Sequence, residues 1–283
     1  MRFGIGTPIV VTPKVASPWE KSAGIAEIAE IAKTADRLGY EFMTCSDHVA
    51  VPTSAETGRG LTFWDPAVLF GYLAAITQKI RFASYVVVLG YHHPLAIAKR
   101  YGQVDAMSGG RLILGVGVGN LKEEFDLLNA PFEDRGVRAD EAILALRAAL
   151  SQRQPKFEGK YYSFSDFVVL PHAVQAKVPI WVGGTSKRSL RRAVELADAW
   201  SPVFLSNDQV AAMLSTVELP PGFDIVLQTG FIDPLKDPDG ARKAIDGLQA
   251  LGATQIGLKV AHTSLRHYLD QIEAFHDLMG MKG

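Results

Sequence analysis

The sequence predicts a single (β/α)8 barrel. Eight short runs of β-branched and aromatic residues alternate with stretches of helical period, and the alternation persists from end to end. No shift in composition divides the chain, and its 283 residues are close to the roughly 250 that one such barrel takes. The expectation is therefore one domain over 1–283.

The first strand is expected at 2–6 (RFGIG) and the first helix at 24–38. There Ile25, Ile28, Ala29, Ala32, Ala35 and Leu38 fall on one stripe, and Gly39 stands where a helix-ending glycine belongs. Further strands are expected near 40–45, 80–88, 112–116, 179–182, 198–204, 224–229 and 255–260. Helices are expected at 65–76, 94–107, 136–150, 187–197, 206–215, 238–250 and 264–278. Segment 151–178 breaks the rhythm. Its Gly, Pro and alternating aromatics lack helical period, which predicts an insertion with a hairpin between the fourth and fifth units.

Lys+Arg 29 against Asp+Glu 30 leaves a net charge of -1, which argues against a nucleic-acid-binding surface. With 48% hydrophobic and 21% charged residues, the chain has the composition of a globular protein with a sizeable core. The lone cysteine, Cys45, excludes an intramolecular disulfide framework and multi-cysteine metal sites and suggests a reducing compartment. No apolar stretch reaches the roughly 18 residues of a bilayer span, and the N-terminus lacks a signal-peptide core. A cytoplasmic protein without membrane partners is expected.

In such a barrel chemistry sits at the C-terminal ends of the strands. The second strand runs into Asp47-His48, a carboxylate beside an imidazole that can exchange protons near neutral pH. A capping Asp47 and a merely packed His48 are the alternative. The third strand leads to His92-His93-Pro94. Adjacent histidines on extended chain point to opposite sides, and the first strand has no His-x-His, so no metal site is assigned.

The fourth strand ends in Gly115-Val116-Gly117-Val118-Gly119-Asn120. That pattern lets a flat or phosphorylated group approach the backbone, or simply relieves crowding in a barrel. The fifth ends in Gly183-Gly184-Thr185-Ser186 at a helix start, a backbone arrangement suited to an anion. Lys187, Arg188, Arg191 and Arg192 follow in the first two turns and oppose the helix dipole. A bound polyanion would relieve that conflict; a solvated face is the plainer reading.

Together these segments resemble the luciferase-like monooxygenase superfamily, especially its branch of deazaflavin (coenzyme F420)-dependent oxidoreductases. The resemblance rests on Ser46-Asp47-His48, on Ile80-Arg81-Phe82 with His93-Pro94, and on the block from Met107-Ser108-Gly109-Gly110-Arg111 through Gly119. Phe157-Glu158-Gly159-Lys160-Tyr161-Tyr162 and Pro179-Ile180-Trp181-Val182-Gly183-Gly184 complete it.

The resemblance implies a cavity for a flavin or deazaflavin ring, with the cofactor phosphate near Gly183, Gly184 and Thr185. Such proteins often carry a non-prolyl cis peptide on the third strand that backs the ring; alignment puts it at Tyr85-Val86. Asp47 and His48 would lie at cofactor or substrate, with His48 the proton-transfer group. Gly119 and Asn120 would border the ring, Asn120 bonding a ring carbonyl or the ribityl chain. Some deazaflavin-dependent sugar-phosphate dehydrogenases have Glu where Asn120 stands and Trp where Pro52 stands, so their substrate is not carried over.

The activity implied is hydride transfer between C5 of F420 and a small organic substrate. The same cavity would also suit an FMN-dependent monooxygenase, and less readily a non-catalytic flavin-binding barrel or a metallohydrolase. Arg188 and its cationic neighbours favour F420, whose oligoglutamate tail is anionic. Apolar helices 65–76 and 94–107 suggest a homodimer.

Overall fold

The computed structural model describes residues 1–11, 16–53 and 62–283. Strand β1 (Arg2–Ile5) is followed by a 3-10 turn (Pro18–Lys21) and helix α1 (Ile25–Arg37). Strand β2 (Phe42–Cys45), helix α2 (Pro66–Ala74), strands β3 (Arg81–Ser84) and β4 (Val87–Val88), and helix α3 (Pro94–Ser108) come next. They lead to strand β5 (Leu112–Gly117) and helices α4 (Lys122–Leu127) and α5 (Arg135–Ala149). The hairpin strands β6 (Phe157–Glu158) and β7 (Ser163–Phe164) precede β8 (Ile180–Gly183) and α6 (Lys187–Leu196). The chain closes through β9 (Ala199–Ser201), α7 (Asn207–Leu214), β10 (Asp224–Ile232), α8 (Pro238–Ala250), β11 (Gln255–Val260) and α9 (Leu265–Met279).

All strand pairs except the hairpin are parallel, and the β3–β5 pairing closes the order β3-β2-β1-β11-β10-β9-β8-β5 into an eight-stranded barrel. The (β/α)8 expectation therefore holds, with four local corrections. The run 80–88 is two strands, separated by the cis peptide Tyr85–Val86. Ala83 pairs with Ile113 but Val87 with Val116, so the third strand carries one extra residue, a bulge. The strand expected at 198–204 ends at Ser201, and that at 224–229 continues to Ile232. Helix α4 has no counterpart among the expected elements.

The helices form for the reasons the pattern suggested. In α1, Ile28, Ala29, Ile31, Ala32 and Ala35 are buried against the sheet, whereas Ile25 lies at the exposed start; Gly39, at φ 74°, turns the chain into β2. Side chains of Asp65, Ser186, Ser206, Asp237 and Ser264 each accept an N–H in the first turn of the helix they precede.

Phe42, Ala83, Ile113, Trp181, Ala199 and Val226 form an apolar layer inside the barrel, with Phe42 and Trp181 edge to face at 5.1 Å. Gly4 belongs to this layer because a Cβ there would stand 2.5 Å from the Phe42 ring. Two residues further along the strands, the same alternation turns Thr44, Ser201 and Gln228 inward. A polar layer thus lies above an apolar one, at the end where chemistry is expected.

The Ser108-Gly109-Gly110-Arg111 block is a fastening. Gly109 and Gly110 take φ 68° and 89°, and Arg111 donates to the carbonyls of Ala74, Thr77, Ile80 and Ser108, tying the end of α2 to the entry of β3. Buried Asp105 accepts the N–H groups of Leu112, Val174 and Gln175, pinning the insertion against α3.

Candidate active site

The Tyr85–Val86 bulge organises the mouth of the barrel. Ser46 Oγ donates to the Tyr85 carbonyl at 2.9 Å, and the Tyr85 N–H donates to the Cys45 carbonyl at 2.7 Å, so β2 holds the bulge in place. The Val86 side chain lies in a cradle of glycines. A Cβ would stand 2.7 Å from it at Gly117 and 3.0 Å at Gly183, and at Gly115 would collide with the Ser84 carbonyl oxygen. Of the two readings of the glycine-rich strand, relief of crowding is what Gly115 and Gly117 provide. The Tyr85 hydroxyl donates across the mouth to the carbonyls of Ser201 and Pro202 (3.5 and 3.4 Å), and burial pushes its pKa well up.

Asp47 and His48 diverge. The Asp47 carboxyl turns behind the bulge, toward α2 and α3, and borders a cavity of about 10 Å³, room for a single water, with Asp65, His92, Arg100 and Tyr101. It accepts the Val88 N–H just beyond the bulge; burial nonetheless raises its pKa to about 6, with Asp65 adding to the rise. A carboxyl raised from 3.8 to about 6 costs stability as pH climbs through that window, and the full cost is present above it. Asp47→Asn is therefore expected to be more stable than the parent by about 1–3 kcal/mol at pH 8, with the difference vanishing below about pH 4, in calorimetric melts.

His48 turns to α4. Its Nδ1 lies 2.7 Å from Glu124 Oε2, and its ring packs edge-on against Phe63 at 4.6 Å. The Glu124 side chain is fully buried and also accepts the Tyr91 hydroxyl (2.6 Å) and the N–H groups of Val49 (2.6 Å) and Ala50 (3.0 Å). Burial alone would raise its pKa, but the donors, led by Tyr91, hold it below the ordinary carboxylate range. Glu124 is thus an acceptor-only anion that fixes Nδ1–H of His48 and leaves Nε2 for exchange.

Sequence reasoning missed Glu124. It follows Lys122-Glu123 in an acidic run, and nothing in its spacing sets it apart from Glu123. His92 and His93 part company as adjacent residues on extended chain should. His93 caps α3 by accepting the Leu95 N–H, while His92 lies 3.4 Å from Arg100 Nη1 and is lowered by burial and that charge.

Gly119, at φ 74°, has no room for a Cβ, which would stand 2.7 Å from both Phe125 and Val88; its carbonyl accepts Arg135 Nε at 3.1 Å. Asn120 follows it, exposed at the rim. On the far side, Gly183 ends β8 in the wall, Gly184 takes φ 124°, and Thr185 is exposed beside the start of α6. Ser186 and Ser189 cap that helix reciprocally.

The cations behind this start are not all available to a ligand. Asp140 of α5 pairs with both Arg188 and Arg192, and buried Arg192 also donates to the Gly136 carbonyl at 2.8 Å. The conflict with the helix dipole is therefore relieved from within for two of the four. Lys187 and Arg191 remain exposed.

Comparison with known proteins agrees with this fold. The model of the luciferase-like monooxygenase family matches residues 1–221. An uncharacterised protein of Mycobacterium tuberculosis is 33% identical over 200 residues, 66% of this chain and 69% of that one. The coenzyme F420-dependent tetrahydromethanopterin reductase of Methanopyrus kandleri superposes with a TM-score of 0.75 at 17% identity, covering 92% of this chain and 96% of that one. The FMN-bound oxygenating component of 3,6-diketocamphane monooxygenase from Pseudomonas putida does so at 0.70 and 17% identity, covering 98% and 97%. These two show the shared fold, and between them they bind both kinds of cofactor. With a parallel eight-stranded barrel and a family model matched over most of its length, the chain is an enzyme that belongs to the luciferase-like monooxygenase family.

Proposed function

We propose that the protein is an F420-dependent oxidoreductase, a single domain over 1–283 with its insertion at about 151–178, that moves a hydride between C5 of the deazaflavin and a small organic substrate. The observation that carries this reading is the His48–Glu124 pair, an acid–base group built into the rim beside the bulge. Hydride transfer to a carbonyl or from an alcohol needs one proton delivered or removed, and an imidazole backed by a buried carboxylate can supply or take it.

The residues present fit the group. Half-buried Tyr85 and Val86 offer a ledge on which a flat ring can rest, and exposed Thr185 with the start of α6 suits a phosphate. When bound, the deazaflavin supplies the carbon that gives or takes the hydride. Gly183, Gly184 and Thr185 would hold its phosphate, Gly119 and Asn120 would border its ring, and Arg188 would face the tail only when released from Asp140. Asp47, behind the wall, acts by positioning the bulge through Val88, and His48 moves the proton at Nε2.

The Asp140 pairs favour a second reading. With Arg188 and Arg192 already neutralised, less charge is left for an oligoglutamate tail, which brings an FMN-dependent monooxygenase closer. Lys187 and Arg191 decide between them. Reversing both to Glu is expected to weaken binding of tailed F420 by roughly 3–10-fold at low salt, with the loss shrinking as salt is added and with little effect on a tail-free fragment. Fluorescence titration of both ligands at two ionic strengths reads this out; no loss for either would favour FMN.

Exposed Val68 and Tyr72 on α2 and Met107 on α3 support a homodimer through this face. The buried thiol of Cys45 is consistent with a cytoplasmic setting, and among the described residues no helix is long and apolar enough to cross a membrane.

A further inference from the structure

We propose that Lys259 anchors an anionic group of the substrate, a carboxylate or phenolate, at the mouth of the barrel. This rests on the oxidoreductase reading and names the substrate class it would take.

The placement follows from register. Gly4 pairs with Gly257, and Gly257 lies beside Gln228, whose Cγ would stand 3.5 Å from a Cβ there. Gly4 faces the Phe42 ring inside the barrel, so the next residue of the same parity on β11, Lys259, also faces inward, one layer above. Its Cγ would stand 3.5 Å from a Cβ at Gly6, and the absence of that side chain leaves the lysine stem room along the wall. On the neighbouring strand, β10 carries an irregularity between Gln228 and Phe231, beside which Lys259 pairs with Phe231.

No described residue answers its charge. The ammonium has neither hydrogen bond nor ion pair among them, and burial alone pulls its pKa down. The described acids at this end of the barrel are committed elsewhere. Glu124 is taken by four donors, Asp47 lies behind the wall, and Glu20 accepts the Ile9 and Ser17 N–H groups while facing His262 at 3.8 Å. A half-buried cation without a counter-charge is costly to the free protein, and a ligand anion would offset that cost. Unlike Lys187 and Arg191 on the outside of α6, Lys259 lies within the barrel wall, where a small substrate rather than a cofactor tail would reach it.

The test is calorimetric titration of the parent, Lys259→Met and Lys259→Arg with acetate, hexanoate and benzoate, and with benzamide as the neutral counterpart of benzoate. At least one carboxylate is expected to bind the parent and to lose at least about tenfold in affinity in Lys259→Met, with most of it kept in Lys259→Arg and benzamide unaffected. Equal carboxylate binding by parent and Lys259→Met, or no carboxylate binding to the parent, would overturn the proposal. F420 and FMN are titrated into the same variants. A cofactor affinity lost in Lys259→Met with carboxylates unaffected would assign the lysine to the cofactor and overturn the proposal. Failure of both cofactors to bind the parent would instead strike the oxidoreductase reading, while the carboxylate result stands by itself. Should Lys259→Met fail to fold, amine acetylation of the parent at Lys259, read by mass spectrometry with and without benzoate, replaces it; protection is expected, and equal labelling would contradict the anchor.

Discussion

Replacing His48 by alanine is expected to lower kcat by roughly 10²–10⁴-fold while leaving the cofactor dissociation constant within a few fold, if proton transfer limits turnover. The imidazole meets the protein through Nδ1, held 2.7 Å from Glu124, and through its edge-on contact with Phe63. Its removal therefore takes away the exchanging nitrogen without disturbing the Tyr85–Val86 ledge or the α6 start. Steady-state kinetics paired with a binding titration check this. A variant that loses cofactor affinity but keeps kcat would make His48 a binding residue.

Glu124→Ala should have the largest effect on stability. It strips the Tyr91 hydroxyl, two backbone N–H groups and His48 of their shared acceptor in a fully buried position. Unmet donors of this kind put the loss at about 3 kcal/mol, or roughly 6–10 °C in Tm for a chain of this size. The pH dependence has a definite sign. Because the folded-state pKa of Glu124 lies below its ordinary 4.5, its contribution is complete above that value and is lost as pH falls through the lower folded-state pKa. The gap in Tm between parent and variant should hence be widest near pH 7 and narrow toward pH 3. A gap independent of pH would mean that the site depends on the volume of Glu124 and not on its charge. The same variant should lower kcat, since His48 loses the group that orients it.

What was legible in the sequence follows the range of the interactions involved. The alternation of strand and helix is local, and the α1 stripe and Gly39 sit where their patterns put them. The third strand was less readable because Tyr85-Val86-Val87-Val88 has unbroken β character, and only the family resemblance pointed to the cis peptide inside it. Long-range pairings were not legible. Glu124 lies 76 residues beyond His48, and Asp140 lies 48 residues before Arg188, so neither partner is visible in the sequence around the residue it holds. Asp47 shows the limit of adjacency as evidence. Next to His48 in sequence, it faces the opposite side of the wall because successive residues at a strand end diverge.

Titration of the purified protein, freed of cofactor, with F420 and with FMN decides whether the mouth of this barrel takes a deazaflavin and serves hydride chemistry. Saturable quenching of deazaflavin fluorescence at micromolar concentrations and negligible binding of FMN are expected. Tight binding of FMN with no response to F420 would contradict the deazaflavin reading and make the protein an FMN-dependent member of the same family.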